Sequence, residues 1–378
     1  MGHNILIVGG TGVISYAVVL EAVKQGFNVT CINRGISKTQ QLPSSVEVIL
    51  ADYRCKDTIE KKLENRFFDA VIDVLCYTES DIDYSFSIFK TKCKQYIFFS
   101  SCAVYNKGKG DYFCTENSEL INPLWNYSIN KVKCEEKLKT LIASCEKDIK
   151  YTIIRPAVTY GNTRIPYGLT PTYGYHGTII QRIIHHKPII IWDEGKNIST
   201  ITRVEDFAIG LVGLLANPKA YNETFHIVGD ERYTWKEVID TLGEIIGVKP
   251  IYFNLPKETL AREIPNKSGE LLGGRGIDQL LDNTKIKTVV PNFKTTISLK
   301  DGLKMTYEYY LKNHYLKGID FYFDGEWDRI VKKYQKNDRY NIKYIDYLKD
   351  KLLKNKLKYI YARHKDNPII RLIALIKK

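Results

Sequence analysis

The stretch NILIVGGTGVIS, Asn4 to Ser15, decides the fold of this 378-residue chain. It opens with an unbroken apolar run, Ile5 to Val8, and such a run is typical of a parallel strand that is buried on both faces. A glycine-rich turn follows, and then a helical pattern from Tyr16 to Gln25. This order of strand, turn and helix predicts a nucleotide-binding unit, because glycines let the backbone approach a pyrophosphate at the helix N-terminus.

The glycine spacing indicates which residues would contact the cofactor. The pattern is G-x-x-G-x-x-S, with Gly9, Gly12 and then Ser15 where a third glycine is usual. A small side chain at that position still permits close packing of helix on strand, so the departure is mild. We expect Gly9, Gly12, Val13 and Ile14 to bind a dinucleotide, NAD or NADP.

The end of a second predicted strand, residues 29–35, bears on the choice between NAD and NADP. An NAD enzyme usually places an acidic residue there, to hold the ribose hydroxyls. This chain has Asn33 followed by Arg34. Asn33 can hydrogen-bond a ribose hydroxyl, whereas Arg34 can pair with a 2′-phosphate, stack on adenine, or be a surface residue without a role. The pattern leans slightly to NADP and leaves NAD open.

A candidate acid–base group lies further along, with Ser101 in SSCAVY and Tyr127 and Lys131 in YSINK. On a helix, Tyr127 and Lys131 share one face, about 6 Å apart along the axis. A free tyrosine titrates near ~10, and a neighbouring ammonium favours the phenolate. Lowering that pKa by roughly three units corresponds to about 4 kcal/mol. With Ser101 bound to the same substrate oxygen, the three side chains can move a proton on and off a carbinol.

Taken in order, these motifs resemble the extended short-chain dehydrogenases/reductases, which include nucleotide-sugar epimerases, dehydratases and reductases. The resemblance covers roughly residues 4–312 and includes RPAVTYG, residues 155–161, which is similar to the family's R-P-x-x-x-Y-G segment. It implies an α/β fold: a Rossmann-type doubly wound parallel sheet with a smaller C-terminal substrate lobe. It also implies that Asp52 lies near the adenine, that Ser101 is the catalytic serine, that Tyr127 is the acid/base, and that Lys131 also holds the nicotinamide ribose.

The residues after the serine narrow the reaction that the resemblance implies. Sugar dehydratases of the family carry an Asp-Glu pair there, whereas this chain has Cys102 and Ala103, so dehydration is disfavoured. Cys102 is either a second acid or base or a buried structural thiol. The resemblance implies an epimerase that oxidises a nucleotide sugar to a ketosugar, most simply at C4, and reduces it again. A dehydrogenase or ketoreductase is the alternative, and a non-catalytic RNA-binding or scaffold protein is a third possibility.

Substrate contacts are predicted from one loop and two arginines. Asn162 and His176 lie in a segment rich in Pro, Gly and Tyr, where the family's substrate loop begins, although a packing role for His176 is open. In STITRVED, residues 199–206, Ser199 replaces an arginine that often binds the nucleotide phosphate. Arg203 or Arg275 could take over that contact.

Composition agrees with a globular enzyme, since 44% of the residues are hydrophobic. The eight cysteines show neither a C-x-x-C pair nor zinc spacing, so no disulfide framework and no metal site is predicted. The chain has no signal-peptide pattern and no apolar run near 18 residues, which leads us to expect a cytoplasmic location. No RNA-module motif is present, so no nucleic acid is expected as a partner.

We predict three parts in the chain. Residues 1–162 form a dinucleotide-binding domain to which 196–230 return, 163–195 and 231–314 form the substrate-binding lobe, and 315–378 form a basic helical extension. The extension holds 17 Lys and Arg against 8 Asp and Glu, which is +9 of the chain's net +13. It could rest on an anionic membrane surface, on a second subunit or on its own core. The resemblance also implies a homodimer.

Overall fold

A computed structural model describes residues 2–36, 40–105, 113–315, 318–336, 340, 353–368 and 370. The chain divides into two compact units. Unit 1 takes its described residues from 1–161, 198–233 and 272–298, and unit 2 from 162–197, 234–271 and 299–378.

Within the described residues the strands are β1 (Asn4–Val8), β2 (Asn28–Asn33), β3 (Glu47–Leu50), β4 (Phe68–Asp73), β5 (Cys93–Phe99), β6 (Lys150–Ile154), β7 (Val158–Tyr160), β8 (Ile189–Trp192), β9 (Ile198–Arg203), β10 (Glu223–Phe225), β11 (Arg232–Thr234) and β12 (Tyr252–Leu255). The α-helices are α1 (Val13–Lys24), α2 (Lys56–Lys62), α3 (Glu79–Phe89), α4 (Asn126–Ala143), α5 (Gly177–Ile184), α6 (Val204–Val212), α7 (Trp235–Ile246), α8 (Lys257–Glu263), α9 (Ser268–Glu270), α10 (Thr284–Val289), α11 (Leu299–Lys312), α12 (Phe321–Tyr334) and α13 (Leu353–His364). A short 3₁₀ turn at Cys102–Val104 and a π-helical turn at Leu271–Arg275 matter for the site.

The main sheet of unit 1 is parallel, with the strand order β10-β6-β5-β4-β1-β2-β3. The order reverses between β1 and β4, which pair side by side in register from Ile5 with Ala70 to Val8 with Asp73. In open sheets of this kind, ligands bind outside the carboxyl ends of the strands at such a switch point. The glycine turn directly follows β1, so it lies at this point.

Helices cover both faces of the sheet, which explains the apolar run in β1. Ile5 and Ile7 belong to a buried cluster with α1 and α6, whereas Leu6 and Val8 belong to a second cluster with α3 and α4. Successive strand side chains point to opposite faces, so a strand covered on both sides needs apolar residues throughout. The predicted doubly wound α/β fold is confirmed, and so is the presence of a helical C-terminal segment.

Unit 2 contains the two-stranded parallel sheet β8–β12 and the helices α5, α7, α8, α11, α12 and α13. Helix α12 enters its core with two buried carboxylates, Asp324 and Asp328. Both approach the Lys187 Nζ atom at 2.6 Å, and Asp328 also lies 3.0 Å from Arg182. These four buried charges attach α12 to the segment around α5 and β8.

The division of the chain into units differs from the predicted one in two ranges. Residues 272–298 belong to unit 1, because bridges join Ser199 to Gln279 and Cys114 to Leu281. The described part of 315–378 belongs to unit 2, since Asp324 and Asp328 of α12 pair with Arg182 and Lys187, and Arg329 of the same helix pairs with Glu263. The rest of the predicted extension, residues 316–317, 337–339, 341–352, 369 and 371–378, lies outside the described residues.

Candidate active site

The glycine turn after β1 has the geometry that a dinucleotide needs. Gly9 has a φ of +88°, a conformation that side chains disfavour, and a Cβ on Gly10 would come within 2.5 Å of the Cys31 sulfur. Ser15 fastens the turn, because its Oγ donates to the Gly9 carbonyl at 2.5 Å and accepts from the Gly12 N–H at 3.0 Å. The hydroxyl therefore adds two hydrogen bonds at the position where a third glycine is usual. Val13 and Ile14 open the first turn of α1.

Asn33 is the last residue of β2. Its side chain contacts the glycine-rich turn, where its Oδ1 accepts a hydrogen bond from the Gly10 N–H at 2.9 Å. Arg34 and Asp52 are both exposed, and Asp52 accepts from the Arg54 N–H at 3.0 Å. These contacts fit a dinucleotide lying across the carboxyl ends of β1 and β2, with Arg34 accessible beside it. They do not distinguish NAD from NADP.

Ser101 lies two residues after the end of β5 and caps the 3₁₀ turn, with its Oγ accepting from the Ala103 N–H at 3.1 Å. The same side chain is close enough to the Tyr127 phenol to lower its pKa, against the larger effect of burial. Cys102, next in sequence, is buried against an apolar cluster, and the Gln279 amide donates to its sulfur at 2.8 Å.

Tyr127 begins α4 and Lys131 lies one turn further on, as the spacing predicts. The Lys131 Nζ atom is 5.8 Å from the centroid of the Tyr127 ring. It donates to the main-chain carbonyls of Cys76 and Phe99, each at 2.6 Å. These carbonyls belong to the segments that follow β4 and end β5, so the sheet itself holds the lysine in place.

Electrostatics around the phenol favour its neutral form in the ligand-free protein. Burial raises the pKa of Tyr127 to about 12, while the Ser101 side chain and the Arg275 guanidinium act in the opposite direction. Burial also lowers the pKa of the Lys131 ammonium, opposed in part by the charges of Asp73 and Glu135. Further positive charge near the phenol would favour the phenolate.

Two buried networks that the sequence did not predict position these side chains. Arg155 binds Glu135 of α4 with two hydrogen bonds, at 2.9 and 2.6 Å, and Ser100 donates to the same carboxylate at 2.5 Å. This cluster fixes α4 against the strand end that carries Ser101. RPAVTYG contained Arg155, but nothing in its spacing pointed to Glu135 as the partner.

The second network surrounds the buried carboxylate of Asp73 at the end of β4. Tyr53, Ser85 and Tyr96 donate to its Oδ2 at 2.9, 2.5 and 3.2 Å, and the Leu75 N–H donates to Oδ1 at 2.8 Å. The network orders the segment after β4 whose Cys76 carbonyl receives Lys131. Only the position of Asp73 at a strand end could have suggested it.

The predicted substrate residues fall in both units. In unit 1, Arg203 is buried at the end of β9, where its Nε lies 2.6 Å from the Glu205 carboxylate and its guanidinium lies over the Tyr160 ring. Arg275 is half-buried. In unit 2, Asn162 is half-buried and His176 is buried, with its Nδ1 accepting from the Ile165 N–H at 3.1 Å. Burial lowers the pKa of His176 to about 3, so its imidazole is neutral.

Within the part of the chain that the structure describes, no group of three or more His, Cys, Asp or Glu side chains is arranged to hold a metal ion. Among the described helices, none combines the length and hydropathy required to cross a bilayer. The eight cysteines, all within the described residues, are free thiols.

A parallel sheet with a glycine turn after β1, and Ser101, Tyr127 and Lys131 after β5 and in the first turns of α4, forms a Rossmann-type fold with the residue arrangement expected of the short-chain class. Residues 5–228 match the NAD dependent epimerase/dehydratase family. The match covers more than half of the chain, and the protein belongs to that family. Family membership confirms the predicted class of cofactor, a nicotinamide adenine dinucleotide.

Individual relatives share less than a third of their aligned residues with this chain. The chain is 29% identical over 244 residues to the chloroplast stem-loop binding protein of 41 kDa b from Arabidopsis thaliana, a match that spans 61% of this chain and 60% of that protein. An epimerase from Methanothermobacter thermautotrophicus superposes with a TM-score of 0.68 at 16% identity, over 83% of this chain and 94% of the other. A Bacillus cereus UDP-glucuronic acid 4-epimerase, solved with UDP-glucuronic acid and NAD, gives 0.64 at 21% identity, over 82% and 99%. Both structures share the fold of this chain.

Proposed function

We propose that this protein is an NAD(P)-dependent nucleotide-sugar epimerase that inverts one carbinol carbon of the sugar, C4 in the simplest case. The observation that carries the proposal is the position of the buried Lys131 ammonium, which two main-chain carbonyls hold 5.8 Å from the centroid of the Tyr127 ring, one helical turn away. The Ser101 side chain supports it, because it is close enough to the Tyr127 phenol to lower its pKa against the effect of burial. A protein without turnover has no need for a serine, a phenol and a buried cation in this arrangement.

In this proposal Tyr127 removes the proton of the sugar hydroxyl, and Ser101 donates a hydrogen bond to the same oxygen. Lys131 stabilises the phenolate while its two carbonyl contacts keep it from moving. A bound nicotinamide supplies the hydride acceptor and, when oxidised, a positive charge beside the phenol. Gly9, Gly12 and the start of α1 would hold its pyrophosphate. When the sugar is reduced again, Tyr127 returns the proton to the oxygen.

We infer that the substrate is a nucleoside diphosphate sugar, with Asn162, His176, Arg203 and Arg275 as candidate contacts. The Bacillus cereus protein with the same fold was solved with UDP-glucuronic acid. UDP-glucuronic acid is therefore the first substrate to test. A homodimer, a cytoplasmic location and contact of the basic C-terminal segment with anionic membranes remain proposals.

The test has two steps. The purified protein is denatured and the released nucleotide is identified by mass spectrometry, and the native protein is then incubated with UDP-sugars while inversion at C4 is followed by proton NMR. We expect stoichiometric NAD(H) and the appearance of the epimer, because an epimerase must keep its hydride between half-reactions. Tyr127→Phe should retain the nucleotide and lose about 10²- to 10⁴-fold in rate.

A one-way reductase or dehydrogenase is the second candidate, favoured by exposed Arg34 at the end of β2, where it can reach a 2′-phosphate. Protein that purifies without nucleotide, binds NADP(H) reversibly and loses that preference in Arg34→Ala would support this candidate over the epimerase.

The name of the Arabidopsis relative makes RNA a further test. A salt-sensitive shift of a labelled stem-loop RNA, unaffected by Tyr127→Phe, together with no turnover of any sugar, would replace the enzyme proposal.

A further inference from the structure

Asn122 contacts three segments of unit 1 that carry site residues. Its side chain is 8% exposed, and its Nδ2 group donates to the Ala103 carbonyl at 2.7 Å and to the Gly273 carbonyl at 2.6 Å. The same group lies 3.4 Å from the Ser128 hydroxyl in the first turn of α4. Ala103 belongs to the turn that Ser101 caps, Ser128 follows Tyr127, and Gly273 lies two residues before Arg275. One amide therefore joins the segments that carry Ser101, Tyr127 and Arg275.

The glycines of the π-helical turn allow it to approach the start of α4. A Cβ on Gly273 would lie 2.9 Å from the Asn122 Oδ1 atom, and one on Gly274 would lie 3.1 Å from the Trp125 ring. The Trp125 ring centroid is 4.9 Å from that of Tyr127. The turn thus lies against the residues that flank the phenol. Arg275, the next residue, is close enough for its charge to oppose the effect of burial on the pKa of Tyr127.

We propose that Asn122 is a positioning residue whose two hydrogen bonds hold the turn Gly273–Arg275 against α4, so that Arg275 faces the Tyr127 phenol as a second cation that stabilises the phenolate. The inference rests on the proposed acid–base role of Tyr127. It gives Arg275 a role in proton transfer, in place of the predicted contact with a substrate phosphate.

We call the hydrogen bonds from Asn122 to the Ala103 and Gly273 carbonyls the clasp. Their chemistry requires an amide at position 122. Two main-chain partners are carbonyl acceptors, so the residue must donate twice through one NH₂ group, while its Oδ1 accepts from the Leu124 N–H at 3.3 Å, a contact that Asn122→Leu also removes. An aspartate would direct a carboxylate at two carbonyls, and a leucine of similar size would leave both without this donor. Asn122→Leu therefore removes the two hydrogen bonds without adding a charge near Tyr127.

The experiment compares Asn122→Leu, Arg275→Gln and the double variant. The matched control is Asn217→Leu, since the Asn217 Nδ2 also donates to a main-chain carbonyl, that of Gly213 at 3.0 Å. A further variant, Gly274→Ala, pushes the turn away from Trp125 without touching Asn122, in case Asn122→Leu does not fold. The measurements are the pH profile of kcat, the KM for the nucleotide sugar, and the ¹³Cζ NMR resonance of Tyr127 in NAD-loaded protein, assigned by its loss in Tyr127→Phe.

We expect the acidic limb of the kcat profile to move to higher pH in both single variants, because a phenol that loses a neighbouring cation holds its proton more tightly. A shift of one pH unit lowers kcat on that limb about tenfold. The double variant should be no worse than Arg275→Gln alone, since Asn122 acts through Arg275. Asn217→Leu should leave the profile unchanged.

Three results would overturn the proposal. Asn122→Leu could lower stability with an unmoved acidic limb, the two substitutions could be additive, or Arg275→Gln could raise KM alone, which would return Arg275 to the substrate phosphate. If the wild-type protein turns over no sugar, the NMR measurement still decides. Equal displacement of the Tyr127 resonance in both variants supports the clasp although the proposed function fails, and an unmoved resonance refutes the clasp itself.

Discussion

At the scale of single residues, two neighbouring serines have separate tasks. Ser101 reaches the Tyr127 phenol, whereas Ser100 donates to the Glu135 carboxylate that Arg155 also binds. In the proposed mechanism one hydroxyl serves proton transfer, whereas the other binds a buried ion pair.

This division gives a first prediction. Ser101→Ala should lower kcat by about 10- to 100-fold with little change in stability, since its contact with the phenol and its hydrogen bond to the substrate oxygen are lost. Ser100→Ala should keep most of the activity and lose about 1.5–3 kcal/mol of unfolding free energy, the usual value of a hydrogen bond to a charged group. Steady-state kinetics and urea unfolding of the two variants check the contrast. Equal kinetic effects would contradict it.

A second prediction concerns His176, whose pKa is lowered to about 3 by burial. Between pH 3 and about 6.5, His176 is protonated in the unfolded chain but neutral in the folded protein. The free energy of unfolding therefore falls as the pH is lowered through this window. From pH 7.5 to pH 4.5, the wild type should lose about 3 kcal/mol more than His176→Gln, whose side-chain oxygen can still accept from Ile165. Urea unfolding at both pH values tests this, and parallel pH slopes would show that His176 is protonated when folded.

Sequence patterns at this scale predicted which side chains are candidates for chemistry and on which elements they lie, but not their partners. Gly9, Gly12 and Tyr127 obey local spacing rules, so each could be placed from a few neighbours. Arg155 and Glu135 are 20 residues apart, and Asn122 and Gly273 are 151 apart. Contacts of that kind depend on how strands and helices come together, which no short spacing encodes.

At the scale of elements, the pair α12 and α13 shows how closely two helices can approach. Gly325 lies in the contact, where a Cβ would meet the Tyr359 carbonyl oxygen at 2.5 Å. The Tyr359 hydroxyl donates to Asp328 at 2.5 Å, so the same contact fixes α13 to the buried charges.

The third prediction follows from this approach. Gly325→Ala should cost about 1–3 kcal/mol, because a main-chain atom cannot move aside for the added methyl group. Gly318→Ala is the control, since its Cβ would meet ordinary contacts of 3.5 Å or more. Thermal unfolding should show a lower Tm for the first variant alone. A similar Tm for both would mean that the helices separate freely.

The apolar runs predicted the strands of the main sheet because both of its faces are covered, as Ile5 and Leu6 show. The position of the basic helical extension, residues 315–378, was harder to predict. Its lysines suggested a separate charged extension, but charge at the surface says little about a helix whose inner face is buried. Asp324 and Asp328 in α12, which are acidic, determine where that helix lies.

At the scale of the whole molecule, the net charge of +13 does not show how the chain's buried charges are balanced. In unit 2, Arg182 and Lys187 are buried, and two of their partners come from a helix more than 130 residues later. Removing one partner of a buried ion pair costs about 3–5 kcal/mol, because the other charge stays out of water.

The fourth prediction is that a chain ending at residue 314 does not fold as the full chain does. It lacks both Asp324 and Asp328, so Arg182 and Lys187 would stay buried without those carboxylates. That loss is comparable with the roughly 5–15 kcal/mol that stabilises a typical protein. Limited proteolysis should cut this chain within 162–197, a range that resists cleavage in the full chain.

A chain ending at residue 370 keeps α12 and α13 and should behave like the full protein. The single variant Glu244→Gln, which breaks the exposed pair with Lys300, should change stability by no more than about 1 kcal/mol. Full protease resistance of the chain ending at 314 would mean that α12 is dispensable and that the basic C-terminal segment is, after all, an extension of an already complete fold.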